Sequence, residues 1–380
     1  MKKKIAYLIK HVPIIQCLYV AVIGNVFKFM RLFIKTDEKL ILFSSYGGSQ
    51  YSDSPKVLYE AICKDIRFTG FRFVWAFEKP NDYTLSDADI VKIDSLKYFF
   101  TALKAKIWIT NVNIERGLHF KSDNTIYLNT WHGTGPKKGG NAVKGRSDYD
   151  FSYVDILCID GTYMERIMKK YFKAREEAFI WCGRPREDAL FEYTEEKITD
   201  IRKSLNIPIG KKVILYMPTW RDMCSVRLLD YELWASELGC EYVVLIRNHH
   251  FTDDTTTTEN NIFINVTSYP DVNDLYMVSD ILISDYSSAF FDFGLLNKPI
   301  ICYAYDYDDY LKTYGLFIDL KREFPNGIKN TEKEVLNFIK TMNYEDECEN
   351  TKRFCHKYVE GHGKATLECL NKLYELLLSE

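Results

Sequence analysis

Short apolar runs bounded by turn residues alternate with helical patterns along most of this chain, and that alternation favours parallel strands with helices laid on both faces of the sheet. In the first half the runs are Leu40 to Ser44, Arg72 to Phe77, Lys106 to Thr110, Thr125 to Asn129 and Ile156 to Ile159. Helical patterns separate them, for example Ser54 to Cys63, where Pro55 suits a first turn, and Leu96 to Ala105. A polar helical stretch, Thr194 to Leu205, and a Pro208-Ile-Gly210-Lys turn interrupt the series, which then restarts. Its second set is Val213 to Met217, Tyr242 to Arg247, Ile262 to Val266, Asp280 to Ser284 and Pro299 to Ala304. The sequence therefore predicts an α/β protein of two Rossmann-like domains facing across a cleft, residues 36–205 and 206–380, hinged near residues 190–210. Helices over Glu332 to Thr341 and Ala365 to Leu378 would pack outside or cross back. A length of 380 residues suits two cores better than one.

Residues 1–35 stand apart. They carry Lys2, Lys3, Lys4, Lys10, Lys28, Arg31 and Lys35 and no acidic residue, while the whole chain has a net charge of -3. Val12 to Phe27 is uncharged but contains Pro13, Gln16 and Asn25, and is shorter than the roughly 20 apolar residues of a membrane span. No small-residue cleavage site follows it, which argues against a removable signal peptide. This arm is read as an amphipathic, interfacial helix, its lysines drawn to an anionic membrane surface and its apolar side chains dipping below the headgroups. The competing reading is a helix of the first domain's core. The mildly acidic balance of the whole chain excludes a dedicated nucleic-acid binder. Ten cysteines without a Cys-x-x-Cys pair, several inside apolar runs such as Ile-Leu-Cys158-Ile, point to reduced buried thiols in a cytoplasmic protein, not to a disulfide or metal framework.

Open α/β sheets bind ligands beyond the carboxyl ends of their strands, so the residues following each run are the informative ones. After Thr125 to Asn129 comes Trp131-His132-Gly133-Thr134-Gly135, then Lys137 and Lys138. Glycines admit a ligand close to the backbone, and a histidine there can take a proton near neutral pH, so His132 is the candidate general base. Arg247 and His249 leave the strand Tyr-Val-Val-Leu-Ile two residues apart and on one face, a guanidinium and an imidazole suited to phosphoryl oxygens; His250 faces the other way. Ser284-Asp285-Tyr286-Ser287-Ser288 turns a strand into a helix running to Leu296, whose first N–H groups and serine hydroxyls can hold a diphosphate as well as cap the helix. No Walker loop and no strand followed by G-x-G-x-x-G is present, which weakens nucleotide hydrolase and dehydrogenase readings. Asp306, Asp308 and Asp309 are read as a solvated loop and not as a cation site.

Taken in order, Thr130-Trp-His-Gly-Thr134, Gly183-x-Pro185-Arg186-x-Asp188, Met217-Pro-Thr219-Trp220-Arg221, Arg247-x-His249, Ser284-Asp285-Tyr-Ser287-Ser288 with Phe291-Asp-Phe293, Tyr303-Ala-Tyr-Asp306 and Gly363-Lys-Ala365 resemble the CDP-glycerol glycerophosphotransferase family of wall teichoic acid primases and polymerases. The resemblance implies a GT-B arrangement in which the first domain takes a lipid-linked saccharide acceptor and the second takes CDP-glycerol. It implies transfer of glycerol phosphate to an acceptor hydroxyl, with release of CMP at the cytoplasmic face of a Gram-positive membrane. His132 would deprotonate the acceptor and His249, with Arg247, would neutralise the diphosphate. Gly133, Thr134, Lys137, Lys138, Thr219, Trp220, Arg221, Asp285, Ser287 and Ser288 would line the substrates. No cofactor is expected, a divalent cation on the diphosphate being the alternative. Gly135-Pro136 replaces the Pro-Leu frequent in the family and Arg184 a frequent tyrosine, both beside the expected acceptor site. The short chain and basic start resemble a primase. The alternatives are a CDP-ribitol or other polyol-phosphate transferase or polymerase, a GT-B glycosyltransferase using a nucleotide sugar, and a silent membrane-bound scaffold.

Overall fold

The computed structural model describes residues 12, 15, 18–219, 221, 229–239, 241–248 and 262–379; Trp220, His249 and His250 lie outside them, as does most of the arm before residue 18. Among the described residues thirteen strands form two sheets, and the strands pair in parallel. The first sheet contains β1 (Asp37–Ser44), β2 (Arg72–Phe77), β3 (Ala88–Lys92), β4 (Ala105–Thr110), β5 (Ile126–Asn129), β6 (Ile156–Ile159) and β7 (Phe179–Trp181), ordered β3-β2-β1-β4-β5-β6-β7. The second contains β8 (Lys212–Tyr216), β9 (Tyr242–Ile246), β10 (Phe263–Asn265), β11 (Ile281–Ser284), β12 (Ile300–Tyr303) and β13 (Ile328–Lys329), ordered β10-β9-β8-β11-β12-β13. Both orders step outward from the first strand, return to it and proceed the other way. Each sheet therefore has a switch point, between β1 and β4 in one and between β8 and β11 in the other, where diverging connections leave room for a ligand.

All ten expected strands are present. The three that were not expected, β3, β7 and β13, share one property: each is the outermost strand of its sheet. Their side chains are only partly covered; β3 and β13 carry charged residues in place of an apolar run, while β7 lies in the apolar run Ala178 to Cys182 but is only three residues long. Interior strands are the opposite case. All six residues of β4 are buried, Lys106 included, because its ammonium reaches Glu38 at 3.2 Å.

By contacts the chain divides into one unit of residues 1–132, 139–188 and 361–380 and another of residues 133–138 and 189–360. This differs from the sequence boundaries in two ways. The break lies at Asp188/Ala189, earlier than 205/206, and the tail from Gly361 belongs with the first sheet. The reason is packing: the helix Ala365–Leu378 lays Ala365, Cys369, Leu370 and Leu373 into the core formed by Ile41, Phe43, Leu58, Trp75, Ile107 and Leu128. Its start is held by Asp188, whose carboxylate accepts from Ala365 N at 3.0 Å and Thr366 N at 2.8 Å. The second core gathers Ile214, Trp234, Val244, Ile283, Ile301, Val335 and Leu336.

The described part of the arm is a π-helical turn, Val20–Gly24, continuing as the helix Asn25–Arg31. One face docks on the first unit. Phe27 is buried against Phe99 and Phe120, with ring centroids 4.7 and 5.2 Å away, and a Cβ on Gly24 would meet the Leu118 carbonyl at 2.8 Å. The opposite face leaves Leu18, Val22, Val26, Phe29, Leu32 and Phe33 exposed. Among the described residues no helix is long and apolar enough to cross a membrane.

Candidate functional site

The first switch point is built by a chain of directed hydrogen bonds. Beyond β1, Tyr46 and the two glycines after it all have positive φ, and Gly48 is packed so that a Cβ would lie 3.2 Å from the Ala76 carbonyl. This turn aims Tyr46 N at Asn111 Oδ1 beyond β4, 2.8 Å away, tying the two strand ends together. The Tyr46 hydroxyl donates to Asp53 Oδ2 at 2.6 Å, and Asp53 in turn accepts from Arg186 Nη1 at 2.6 Å. Arg186 Nη1 also donates to the backbone carbonyl of His132 at 3.0 Å, so the loop after β5 is pinned from below. Burial alone would raise the Asp53 carboxyl, but the Arg186 charge and the Tyr46 hydrogen bond hold it below its usual range.

His132 follows Trp131, a tryptophan at φ 53°, a conformation uncommon for a large side chain. Asn129 Oδ1 accepts from Trp131 N at 2.8 Å, and the indole wedges against Phe151 and Phe172, which over-determine the bend. His132 as a residue is half-buried. Its Nδ1 lies 2.9 Å from the Asn111 carbonyl oxygen, which can only accept, so Nδ1 carries the proton and Nε2 the lone pair. Burial lowers the pKa of this imidazole, with Arg186 and Arg184 adding to that and the Asn111 hydrogen bond and Asp53 opposing it. The result is a neutral ring with one defined tautomer at the end of a strand, equipped to accept a proton.

The second switch point is built around Arg221. Its Nε donates to Asp306 Oδ2 at 2.6 Å, Nη2 to Asp306 Oδ1 and Asp285 Oδ2 at 2.9 Å each, and Nη1 to the Thr219 carbonyl at 2.7 Å. Asp285 Oδ1 accepts from Thr219 N at 2.8 Å and from Tyr286 N at 2.7 Å, locking the ends of β8 and β11 together. The Tyr286 hydroxyl donates to Asp306 at 2.9 Å, and its ring stacks on Tyr310 with centroids 3.6 Å apart. Arg221 and Asp285, assigned to substrate on the sequence, thus bind each other and are almost fully buried. Asp306, expected in a solvated loop, is half-buried and belongs to the same cluster, whereas Asp308 and Asp309 are exposed as expected.

The Gly-rich segment 133–138 belongs to this second unit. Thr134 is buried, and a Cβ at Gly135 would stand 3.5 Å from Ser288 N, so the segment runs beside the start of the helix Ala289–Gly294. Phe317 N donates to the Pro136 carbonyl and Lys138 N to that of Gly315, pairing the two segments. Lys137 and Lys138 are exposed, the Lys137 ammonium standing 4.5 Å over the Tyr314 ring. The helix is six residues long, shorter than expected. Ser288 occupies its N-cap without a side-chain cap hydrogen bond, and Ser287 Oγ accepts from Ala289 N at 3.1 Å. Arg247 follows β9, with Nη1 donating to the carbonyls of Val266 and Tyr269.

Sequence reasoning gave no role to Asp53, Asn111, Tyr46, Tyr286 or Tyr310. Asn111 and Tyr46 stand at strand ends and were within reach of the switch-point rule; Asp53 and Arg186 are far apart in sequence, and nothing local signals their pairing.

Two Rossmann-ordered sheets, each with a built switch point, and a single-tautomer histidine beside a Gly-rich turn define a two-domain α/β group-transfer enzyme. The sequence narrows the class: residues 26–365 match the family described as CDP-Glycerol:Poly(glycerophosphate) glycerophosphotransferase, and the chain belongs to it. It is 32% identical over 345 residues to the teichoic acid glycerol-phosphate transferase of Staphylococcus aureus (strain NCTC 8325 / PS 47), covering 84% of this chain and 88% of that one. A teichoic acid poly(glycerol phosphate) polymerase of Bacillus spizizenii (strain ATCC 23059 / NRRL B-14472 / W23) is 32% identical over 371 residues, covering 90% and 93%. Among solved structures, a variant of the wall teichoic acid polymerase TagF soaked with CDPG superposes with a TM-score of 0.83 at 30% identity, covering 97% of this chain and 96% of that one. The protein is a glycerophosphotransferase. The Bacillus spizizenii polymerase is nearly the length of this chain, so shortness does not distinguish primase from polymerase.

Proposed function

We propose that the protein transfers glycerol phosphate from CDP-glycerol to a hydroxyl of a saccharide carried on a membrane lipid diphosphate, releasing CMP at the cytoplasmic face of the membrane. The observation that carries this reading is the His132 imidazole, neutral, with Nδ1 committed to the Asn111 carbonyl and Nε2 left as a base. In the proposed reaction Nε2 takes the proton of the acceptor hydroxyl as its oxygen attacks the β-phosphorus. The bond from that phosphorus to the bridging oxygen breaks, and CMP departs with the electron pair. Phosphoryl transfer asks a protein chiefly for positioning and charge neutralisation. Arg247, His249 and the serines before the helix Ala289–Gly294 are proposed to receive the diphosphate, and Lys137, Lys138, Gly133 and Thr134 to border it. Arg221, Asp285 and Thr219 hold the strand ends that shape the nucleotide side. No metal is required by this scheme.

The test is to incubate the purified protein with CDP-glycerol and a soluble-tailed analogue of the lipid-linked disaccharide and to weigh the products. One added glycerol phosphate with CMP identifies a primase, and a ladder identifies a polymerase. Release of a nucleoside diphosphate, or no product, overturns the reading. His132→Gln should fold normally and lose about 10²- to 10⁴-fold in kcat, the usual contribution of a positioned general base; full turnover by that variant removes the mechanism.

A further inference from the structure

Three cysteines that are scattered in the sequence meet in the core of the first unit. Cys158 lies on β6, Cys182 directly follows β7, and Cys369 sits on the second turn of the helix Ala365–Leu378; each is at most 1% exposed. Their sulfurs all lie within 4.8 Å of one another, with Cys158 Sγ 3.4 Å from Cys369 Sγ. Nothing in the proposed reaction uses them, and they stand on the apolar packing of the first sheet and not at its switch point.

We propose that this trio is a binding site for one soft, thiophilic divalent cation of the zinc class, held by three thiolates. Metal–sulfur bonds of about 2.3 Å place three sulfurs in a plane about 4.0 Å apart, inside the range these sulfurs span, so closing on an ion asks for shifts of tenths of an ångström. The three donors come from three different elements, so each is positioned by its own backbone before any ion arrives. Among the described residues no further His, Cys, Asp or Glu joins the group; the surroundings are apolar apart from the Gly183 carbonyl, which accepts from Cys182 Sγ at 3.2 Å, so the side chains of the site offer coordination by sulfur alone. On binding, three S–H bonds break and three S–metal bonds form, the protons passing to solvent. One net negative charge is left in a dry core, which restricts the site to ions whose bonds to thiolate are strong enough to offset that cost. The bound ion would tie the C-terminal helix to β6 and to the Gly183 turn.

The test uses the full chain, purified under reductant without chelator, with Cd2+ alone as the probe. The protein is titrated folded, and also refolded from denaturant with Cd2+ present so that access to the core does not limit uptake. One ion per chain by native mass spectrometry, with sulfur-to-cadmium charge-transfer absorption and a raised Tm, is the expected result. Cys158→Ser, Cys182→Ser and Cys369→Ser should each weaken uptake by about 10-fold or more. Cys63→Ser and Cys348→Ser, at less buried thiols outside the trio, should leave it unchanged. Failure of the unaltered chain to take up one ion by either route overturns the proposal without recourse to any variant. So does uptake that follows Cys63 or Cys348, or a Cys158–Cys369 disulfide found where the ion was expected.

Discussion

A hydrogen bond to a carbonyl oxygen fixes more at His132 than its position. It sets the tautomer, and burial with nearby guanidinium charge lowers the pKa, so the base stays unprotonated at pH values where a free histidine, with a pKa of about 6.5, would be charged. The acid limb of the kcat profile should therefore fall below that value, and a limb above it would contradict the burial. His132 was legible because one local pattern, strand then glycine, carries it. Arg221 was legible only as a motif member, and its ion pairs with Asp285 and Asp306 were not read there. Removing it leaves Asp285 and Asp306 facing each other without their cation, so Arg221→Ala should lower stability to urea by about 3–5 kcal/mol. An unchanged urea midpoint would mean that Arg221 serves ligand alone. Arg186 was legible only as a motif member, and its pairing with Asp53 escaped notice since a buried ion pair between residues 133 positions apart leaves no trace in either neighbourhood.

Elements declare themselves in sequence to the extent that they are buried on both faces. Interior strands such as β4 read as apolar runs, while the edge strands β3 and β13 are partly solvated and have sequences that pass for loop, and β7, though apolar, is only three residues long. The connection between β4 and β5 hides a different feature. Glu115 is 1% exposed, and burial pushes its carboxyl up to about 8, against the pull of Lys121 and with Asp150 and Asp155 adding to the rise. The native state therefore holds this proton more tightly than the unfolded chain does. The stabilisation is complete below the ordinary glutamate value of about 4.3 and is lost as pH rises through 8. Tm measured from pH 5 to 9 should fall up to about pH 8, show no further loss from this group above it, and fall less for Glu115→Gln; parallel curves would show that Glu115 ionises without penalty.

For the molecule as a whole, composition and alternation sufficed for two parallel α/β units, but not for where the chain leaves one and enters the other. Contacts decide that, and residues 133–138 and 361–380 each join a unit that their place in the sequence does not suggest. The arm shows a similar mixture of readings. It is docked through Phe27 and Gly24, as a core helix would be, and still turns Val22, Val26, Phe29 and Phe33 to solvent beside Lys28 and Arg31, as an interfacial helix would. The proposed membrane contact predicts that the full chain sediments with anionic vesicles and is released by salt, and that a chain lacking residues 1–34 does not sediment. Equal sedimentation of both would remove the arm from that role.

The return of the helix Ala365–Leu378 to the first sheet also orders events during synthesis. A protein whose domains are consecutive can finish the first while the second is still being made. Here Cys369, Leu370 and Leu373 leave the ribosome after residues 189–360, and until they do the first core lacks one wall. The second unit, complete by Glu360, is free to mature ahead of the one that begins the chain. A released chain ending at Glu360 should accordingly show protease-resistant fragments from residues 189–360 and rapid cleavage before Asp188; resistance in the reverse order would show that the first sheet matures without the helix Ala365–Leu378.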